Sequence, residues 1–352
     1  MKAAVWHGRK DVRVEDVPEP AAPGPGQVKV KVHWCGICGS DLHEYDAGPI
    51  FIPVAAPHPL TGMQAPLILG HEFSGEVVEV GADVKNVKAG DRVTADACQY
   101  CGECYMCKMN RYSICSSLAF TGLMTDGAFA EYVNVPAYTI YQLPPDMPSD
   151  VGALVEPLAV GIHAIRRAPV IQGDTVAIVG AGTIGLVTLQ SARAAGASKV
   201  FVLEMAKARK EYAKKLGATA VIDPFETDPV EEVRRLTDGL GVDVAVECVG
   251  GSKTGALTVD LVRVGGKAVL VGIFEKPSEI HFNNLVFFEK EIVGSLAYYG
   301  EFNTAIALLS DGRITAEPLI TAKIKLDDIV AKGFEELLAN REQHIKILVS
   351  PH

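Results

Sequence analysis

Four thiols stand within 15 residues, in the pattern Cys101-x2-Cys104-x2-Cys107-x7-Cys115. Four thiolates match the closed tetrahedral shell of a structural zinc, which folds a lobe with little core of its own. Such a shell leaves no open position and cannot do chemistry. Cys98 precedes the run at the same x2 spacing, so Cys98-Cys101-Cys104-Cys107 is a competing ligand set. Free buried thiols are the plain alternative, and the density of the cluster argues against them.

A second constellation is spread along the chain. Cys38 lies in Gly36-Ile37-Cys38-Gly39-Ser40-Asp41-Leu42-His43, His71 and Glu72 follow Gly70, and Glu156 sits in Ala153-Leu154-Val155-Glu156-Pro157. A lone His is more often a core or surface residue, and a Glu before Pro caps helices. If residues 38, 71 and 156 meet in space, a thiolate, an imidazole and a carboxylate leave one open position, the arrangement of a catalytic zinc.

The third feature is Gly180-Ala181-Gly182-Thr183-Ile184-Gly185, placed between an apolar run at 175–179 and a helical stretch at 183–195. In that context the glycines read as a dinucleotide loop. The first gives the tight turn, the second admits the pyrophosphate, and the third lets helix and strand pack closely. The N–H groups of the opening helix, from Thr183 and Ile184, face the phosphates. Glu204 closes the next apolar run, 19 residues after Gly185 (204 − 185). A carboxylate there accepts both adenosine ribose hydroxyls and repels a 2′-phosphate, which selects NAD over NADP. Lys207 and Arg209 are the basic residues nearby, and Arg209 is counted with the cofactor-binding set. A glycine turn in an ordinary α/β domain is the competing reading.

The elements that must carry these residues fall into two patterns. Residues 27–34 alternate, and residues 73–80 and 129–135 are Val-rich runs bounded by Gly or Pro, so the first half reads as β. Residues 46–66 hold Pro49, Pro53, Pro57, Pro59 and Pro66 and predict an ordered loop or lid. From residue 170, strands at 175–179, 200–203, 242–248, 268–271 and 292–296 are interleaved with helices at 183–195 and 206–216. This is the βαβ signature of a doubly wound parallel sheet. The tail from about 297 reads as a return to the first domain.

The 352 residues suit two domains, and 48% hydrophobic with 22% charged residues is globular composition. A formal charge of -10 without a Lys/Arg run lacks the footprint of a nucleic-acid binder. No apolar stretch is long enough for a membrane span, and the start carries no signal core, so the expectation is a cytoplasmic protein with reduced thiols.

Taken together, Gly70-His71-Glu72-x2-Gly75-x5-Gly81-x2-Val84, the Cys38 motif, the four-Cys lobe, Gly127-Ala128-Phe129-Ala130-Glu131-Tyr132 and the Gly180 loop resemble the zinc-containing medium-chain alcohol dehydrogenase family, in that family's order. The resemblance covers essentially the whole chain. Ala153-Leu154-Val155-Glu156-Pro157 is similar to the polyol branch, in which a Glu replaces a zinc-bound Cys. The segment 41–62 is most similar to that of 2,3-butanediol dehydrogenases.

The resemblance implies an α/β protein: a Rossmann domain at 158–296 inserted into a mainly β GroES-like catalytic domain at 1–157 and 297–352, with the zinc lobe at 98–115. It implies NAD, one catalytic and one structural zinc, and a homodimer or homotetramer, with 292–296 as a pairing edge. Cys38 and His71 match zinc ligands, Glu156 matches the third, and Glu72 a conditional one; which Glu binds directly stays open. Cys101, Cys104, Cys107 and Cys115 match the structural site, with Cys98 just outside. Ser40 and His43 match a proton relay from the substrate hydroxyl through the nicotinamide ribose to the surface; local turn hydrogen bonds are the alternative.

The implied substrate is a small secondary alcohol or vicinal diol, 2,3-butanediol or acetoin, with sorbitol and xylitol as rivals. Phe51, Ile52 and Phe120 are candidate pocket walls or ordinary core. A catalytically idle zinc- and nucleotide-binding protein and a zinc-free quinone reductase are the remaining readings. The first is opposed by the set Cys38, Ser40, His43, His71 and Glu156, the second by the same set and the Cys lobe.

Overall fold

A computed structural model describes residues 1–352. The chain forms two compact units. One comprises Met1–Glu156, Phe302–Ser310 and Ala316–His352, the other Pro157–Glu301 and Asp311–Thr315.

The first unit is built on a mainly antiparallel sheet. Its strands run in the order Ile140–Gln142, Arg92–Ala95, Glu72–Val80, Gln27–Gly36, Lys346–Ser350 and Ile320–Lys325, and Tyr132–Pro136 also pairs with Gln27–Gly36. The alternation in Gln27–Gly36 buries Val28, Val30 and Val32 in the core. Lys29, on the opposite phase, is buried as well, its ammonium held 3.1 Å from a Glu19 carboxylate oxygen. The central position of Gln27–Gly36 matters for the chemistry. Gly36 stands opposite Glu72 on one side and opposite Leu348 of the C-terminal strand on the other.

The second unit is a six-stranded parallel sheet, Ala220–Ile222, Lys199–Leu203, Thr175–Val179, Val242–Glu247, Val262–Leu270 and Glu291–Gly294 in spatial order. The order reverses between Thr175–Val179 and Val242–Glu247, the switch point where doubly wound sheets bind ligands. The strand and helix flanking the glycine loop, Thr175–Val179 and Thr183–Ala195, lie where the sequence pattern sets them. The strand expected from Ala268 starts earlier, at Val262, because it continues through Gly265 and Gly266 with a register shift against its neighbour. The expected strand 292–296 is Glu291–Gly294, at the sheet edge. No helix is long and apolar enough to cross a membrane.

Residues 48–66 contain no helix or strand, but they are stitched. Ala65 N–H donates to the Pro53 carbonyl at 2.9 Å and Gly62 N–H to that of His58 at 2.8 Å. The prolines withhold donors and fix φ, so the order comes from these few bonds and from side chains.

Candidate active site and metal centres

Cys38 is the N-cap of the helix Gly39–Ala47, which carries Ser40, Asp41 and His43. His71 immediately precedes the strand Glu72–Val80. The fold brings the ligand atoms of Cys38, His71 and Glu72 within 4.8 Å of one another, and Glu156 is not part of that set. Glu156 is nonetheless buried, and its charge helps raise the pKa of both His71 and Lys346.

Glu72 is already held by the protein itself. Lys346, from the C-terminal strand, donates to Glu72 Oε1 and Oε2 at 2.8 and 2.6 Å and to the Ile37 carbonyl at 2.8 Å. All three ammonium protons are thereby used inside the protein. An ammonium in contact with both oxygens repels a metal cation approaching the same carboxylate. Burial opposes the charge on Lys346, and Glu72, Cys38 and Glu156 outweigh it, so its pKa is raised.

The donor set fits a cation. Burial disfavours a charged His71, yet Asp41, Cys38 and Glu156 overcome it and push its pKa well above the ordinary histidine value. The field at this spot therefore favours positive charge, which a bound metal supplies without a proton. Asp41 Oδ2 accepts the Cys38 N–H at 2.9 Å, and Asp41 Oδ1 lies 3.7 Å from His71 Nδ1. Both of the latter atoms are buried and make no hydrogen bond. That arrangement suits the outer support of a metal-ligating imidazole: Nδ1 faces a carboxylate, and Nε2 would be the atom to hold a metal. Burial raises the Asp41 carboxyl to about 6, against the pull of His71 and the Cys38 amide. On the far side, Ser40 Oγ is 3.4 Å from His71 Nε2. Neither Asp41 nor Lys346 is marked as a site residue by its local sequence pattern alone. A lysine interrupting the apolar run Ile345-Lys346-Ile347-Leu348-Val349 was the available signal for the second.

The four thiols Cys101, Cys104, Cys107 and Cys115 also converge, all within 4.8 Å of one another. Cys115 and Cys101 sulfurs are 3.4 Å apart. Cys98 is outside the set, buried in the short strand Cys98–Gln99, with its N–H on Asp96 Oδ1 at 2.7 Å. Backbone N–H groups of Cys107 and Ser116 pull Cys104 down to about 5, while burial and neighbouring thiols push Cys107 up to about 12. Four sulfurs this close cannot all ionise without a cation among them, which fits a tetrahedral zinc. Asn110 takes a left-handed φ of 55°, supplying the turn for which a glycine is the usual residue.

In the second unit, Gly180 adopts φ +95° and a methyl on Gly185 would run into the Gly180 carbonyl, so both glycines are needed for the turn and the helix–strand approach. A methyl on Gly182 would meet only Arg209 Nη1, at 3.8 Å, which leaves the space a pyrophosphate requires. Glu204 is buried, with Oε2 accepting Ala181 N–H at 2.7 Å and Oε1 accepting those of Met205 and Ala206 at 2.8 Å. It thus ties the glycine loop to the strand end, and its remaining lone pairs can serve a ribose. Ile52 is 4% exposed and belongs to the core, whereas Phe51 and Phe120 are only partly buried against it.

Residues 24–145 match the model of the alcohol dehydrogenase GroES-like domain, and residues 183–311 that of the zinc-binding dehydrogenases. The chain is 43% identical over 354 residues to (R,R)-butanediol dehydrogenase of Bacillus subtilis (strain 168), covering 100% of both. It is 37% identical over 355 residues to L-threonine 3-dehydrogenase of Thermococcus kodakarensis (strain ATCC BAA-918 / JCM 12380 / KOD1), covering 100% of this chain and 97% of that one. The crystal structure of 2R,3R-butanediol dehydrogenase from Bacillus subtilis superposes with a TM-score of 0.93 at 43% identity, over 100% of this chain and 99% of the other. With both family models matched and such relatives aligned end to end, the chain belongs to the zinc-containing medium-chain alcohol dehydrogenases.

Proposed function

We propose that this enzyme oxidises the secondary hydroxyl of a small vicinal diol with NAD, 2,3-butanediol to acetoin, or runs that reaction in reverse. The observation that carries the substrate is the 43% identity over the full length to a butanediol dehydrogenase, against 37% to a threonine dehydrogenase. Cys38, His71 and Glu156 would hold the catalytic zinc, with Glu72 retained by Lys346. A zinc held there would supply Lewis-acid polarisation of the substrate oxygen, lowering the pKa of its hydroxyl. Ser40 Oγ accepts the substrate hydroxyl proton as its own hydroxyl proton passes on toward His43, which stands one helical turn on, is partly exposed and returns it to solvent. Asp41 orients His71 from behind. Cys101, Cys104, Cys107 and Cys115 would hold the structural zinc.

Gly180, Gly182, Thr183, Ile184, Gly185 and Arg209 form the proposed phosphate cradle, and Glu204 selects NAD by its charge. The edge strand Glu291–Gly294 lies close in sequence to exposed Phe282, Val286, Phe287 and Leu296, which supports a homodimer or homotetramer built on this edge. Light scattering on the purified protein reads that state directly. A four-thiolate lobe needs a reducing compartment, which supports a cytoplasmic location, tested by fractionation.

The deciding experiment is the initial rate of NADH formation with each 2,3-butanediol stereoisomer, with L-threonine and sorbitol alongside. A clear preference for one butanediol isomer is expected. Faster turnover of threonine or sorbitol would replace the diol as substrate and leave the zinc and fold assignments standing.

A further inference from the structure

The helix that carries Ser40 and His43 also holds a carboxylate that the proposed chemistry does not use. Glu44 is 0% exposed. Its Oε1 accepts the N–H of Phe51 and, at 3.2 Å each, those of Ile50 and Ile52, while Oε2 accepts Ile50 N–H at 3.0 Å. Three consecutive backbone amides thus converge on one buried carboxylate. A buried carboxylate persists only where donors of this kind satisfy it, so side chain and loop fix each other.

The backbone of the same residue is also engaged. The Glu44 carbonyl accepts Trp6 Nε1 at 3.0 Å and Gly48 N–H at 3.2 Å. Gly48 closes the turn, and a methyl there would collide with the Glu44 carbonyl oxygen and stand 2.5 Å from its Oε2. Farther along, His58 Nε2 lies 3.2 Å from the Leu118 carbonyl and Thr61 Oγ1 donates to that of Met124 at 2.6 Å. The loop is therefore pinned at both ends to the unit that holds Cys38 and His71.

The pinned stretch carries apolar side chains that the core does not fully take up. Ile50 is 44% exposed and Val54 47%, and Phe51 only leans on the core that includes Ile37, the residue before Cys38. The Glu44 bonds fix the backbone of residues 50–52, from which Ile50 and Phe51 project, against loop entropy, and Gln64 Nε2 holds the Val54 carbonyl at 2.7 Å.

We infer that Glu44 is the positioning residue for substrate specificity: it holds Ile50, Phe51 and Val54 as an apolar wall that admits a short secondary alcohol and turns away longer polyols. This rests on the diol reading above. Ser40 and Glu44 stand one turn apart on the same helix, so the wall and the proton path share one rigid support.

The test compares kcat/KM for the preferred 2,3-butanediol isomer with that for sorbitol, in the holoenzyme and in Glu44→Ala, Glu44→Gln and Gly48→Ala. The ratio is expected to fall about tenfold in Glu44→Ala, mostly through KM for the diol, with zinc content per chain unchanged. Glu44→Gln keeps one acceptor oxygen and should rescue part of the loss. Gly48→Ala pushes on the Glu44 carbonyl and carboxylate together and should shift the ratio in the same direction, while Glu44→Gln, which leaves the backbone contacts in place, decides the matter if Glu44→Ala does not fold. A ratio within twofold of the parent in every folded variant would overturn the assignment. If the parent enzyme prefers another alcohol, the diol reading fails, and the same ratio between that alcohol and a longer homologue still tests Glu44.

Discussion

Gly36 stands directly opposite Glu72 across an antiparallel pair, and its missing side chain leaves the space that the Glu72–Lys346 ion pair fills. A methyl on Gly36 would collide with Glu72 Oε2 and lie 3.2 Å from Lys346 Cδ. Three strands distant in sequence thus cooperate to keep a charged pair buried beside the candidate catalytic metal. Glu72, whose ligand atom lies close to those of Cys38 and His71, is thus already neutralised by a lysine from the C-terminal strand.

Replacing Lys346 by Met should strand the Glu72 carboxylate. Breaking one side of a buried pair is worth about 3–5 kcal/mol of destabilisation, whereas replacing both partners by well-packed apolar groups is close to neutral. Urea unfolding of Lys346→Met and of the double variant Lys346→Met with Glu72→Met measures this. A single variant within 1 kcal/mol of the parent, on the order of a surface pair, would show that Glu72 does not depend on Lys346.

Ser40→Ala should lower kcat by about a hundredfold, in the range of a lost proton-transfer group, with the same zinc content. Rate and metal analysis on one preparation separate the roles. Loss of zinc would make Ser40 a structural support of His71, with which it stands at 3.4 Å.

Glu204→Ser removes the charge expected to repel a 2′-phosphate. Like-charge repulsion is worth several kcal/mol, so the NADP-to-NAD ratio of kcat/KM should rise by roughly tenfold or more. The same change frees the N–H groups of Ala181, Met205 and Ala206, so affinity for NAD should fall as well. An unchanged ratio would assign cofactor choice elsewhere.

Zinc binding to the thiol lobe should release protons and strengthen as pH rises. Cys104, pulled down to about 5, is ionised at neutral pH, while Cys107, pushed up to about 12, and Cys115, raised by burial, keep their protons. Filling a four-thiolate shell then displaces at least two protons near pH 7, those of Cys107 and Cys115. Titrating zinc into metal-stripped Cys38→Ser protein in weak buffer, with a pH indicator, counts them. No proton release would mean that the four thiols do not form the shell.

Much of this protein is legible before folding because its strongest signals are local. The glycine loop is a strand, a turn and a helix within about 20 consecutive residues, and the turn itself demands glycine, so residues 175–195 identify themselves. The four thiols are likewise one short stretch, and only the place of Cys98 had to be seen, in a strand held by Asp96. The alternation that marked residues 27–34 set the phase of the central strand. The buried Lys29 did not follow from it, since its partner Glu19 lies outside the strand.

What the sequence determined by itself was therefore the class of chemistry: thiolates in metal spacing, a nucleotide loop, and the motifs at Cys38 and His71. Tertiary structure decided which of these residues act together. Cys38, His71, Glu72 and Lys346 come from a helix cap, a strand entrance and the C-terminal strand, and no local pattern relates positions 38, 72 and 346. Glu44 reads as an ordinary helix glutamate until the loop folds over it. Contacts of this kind depend on sheet register and on how a loop closes, which are set by packing over the whole unit rather than by spacing along the chain.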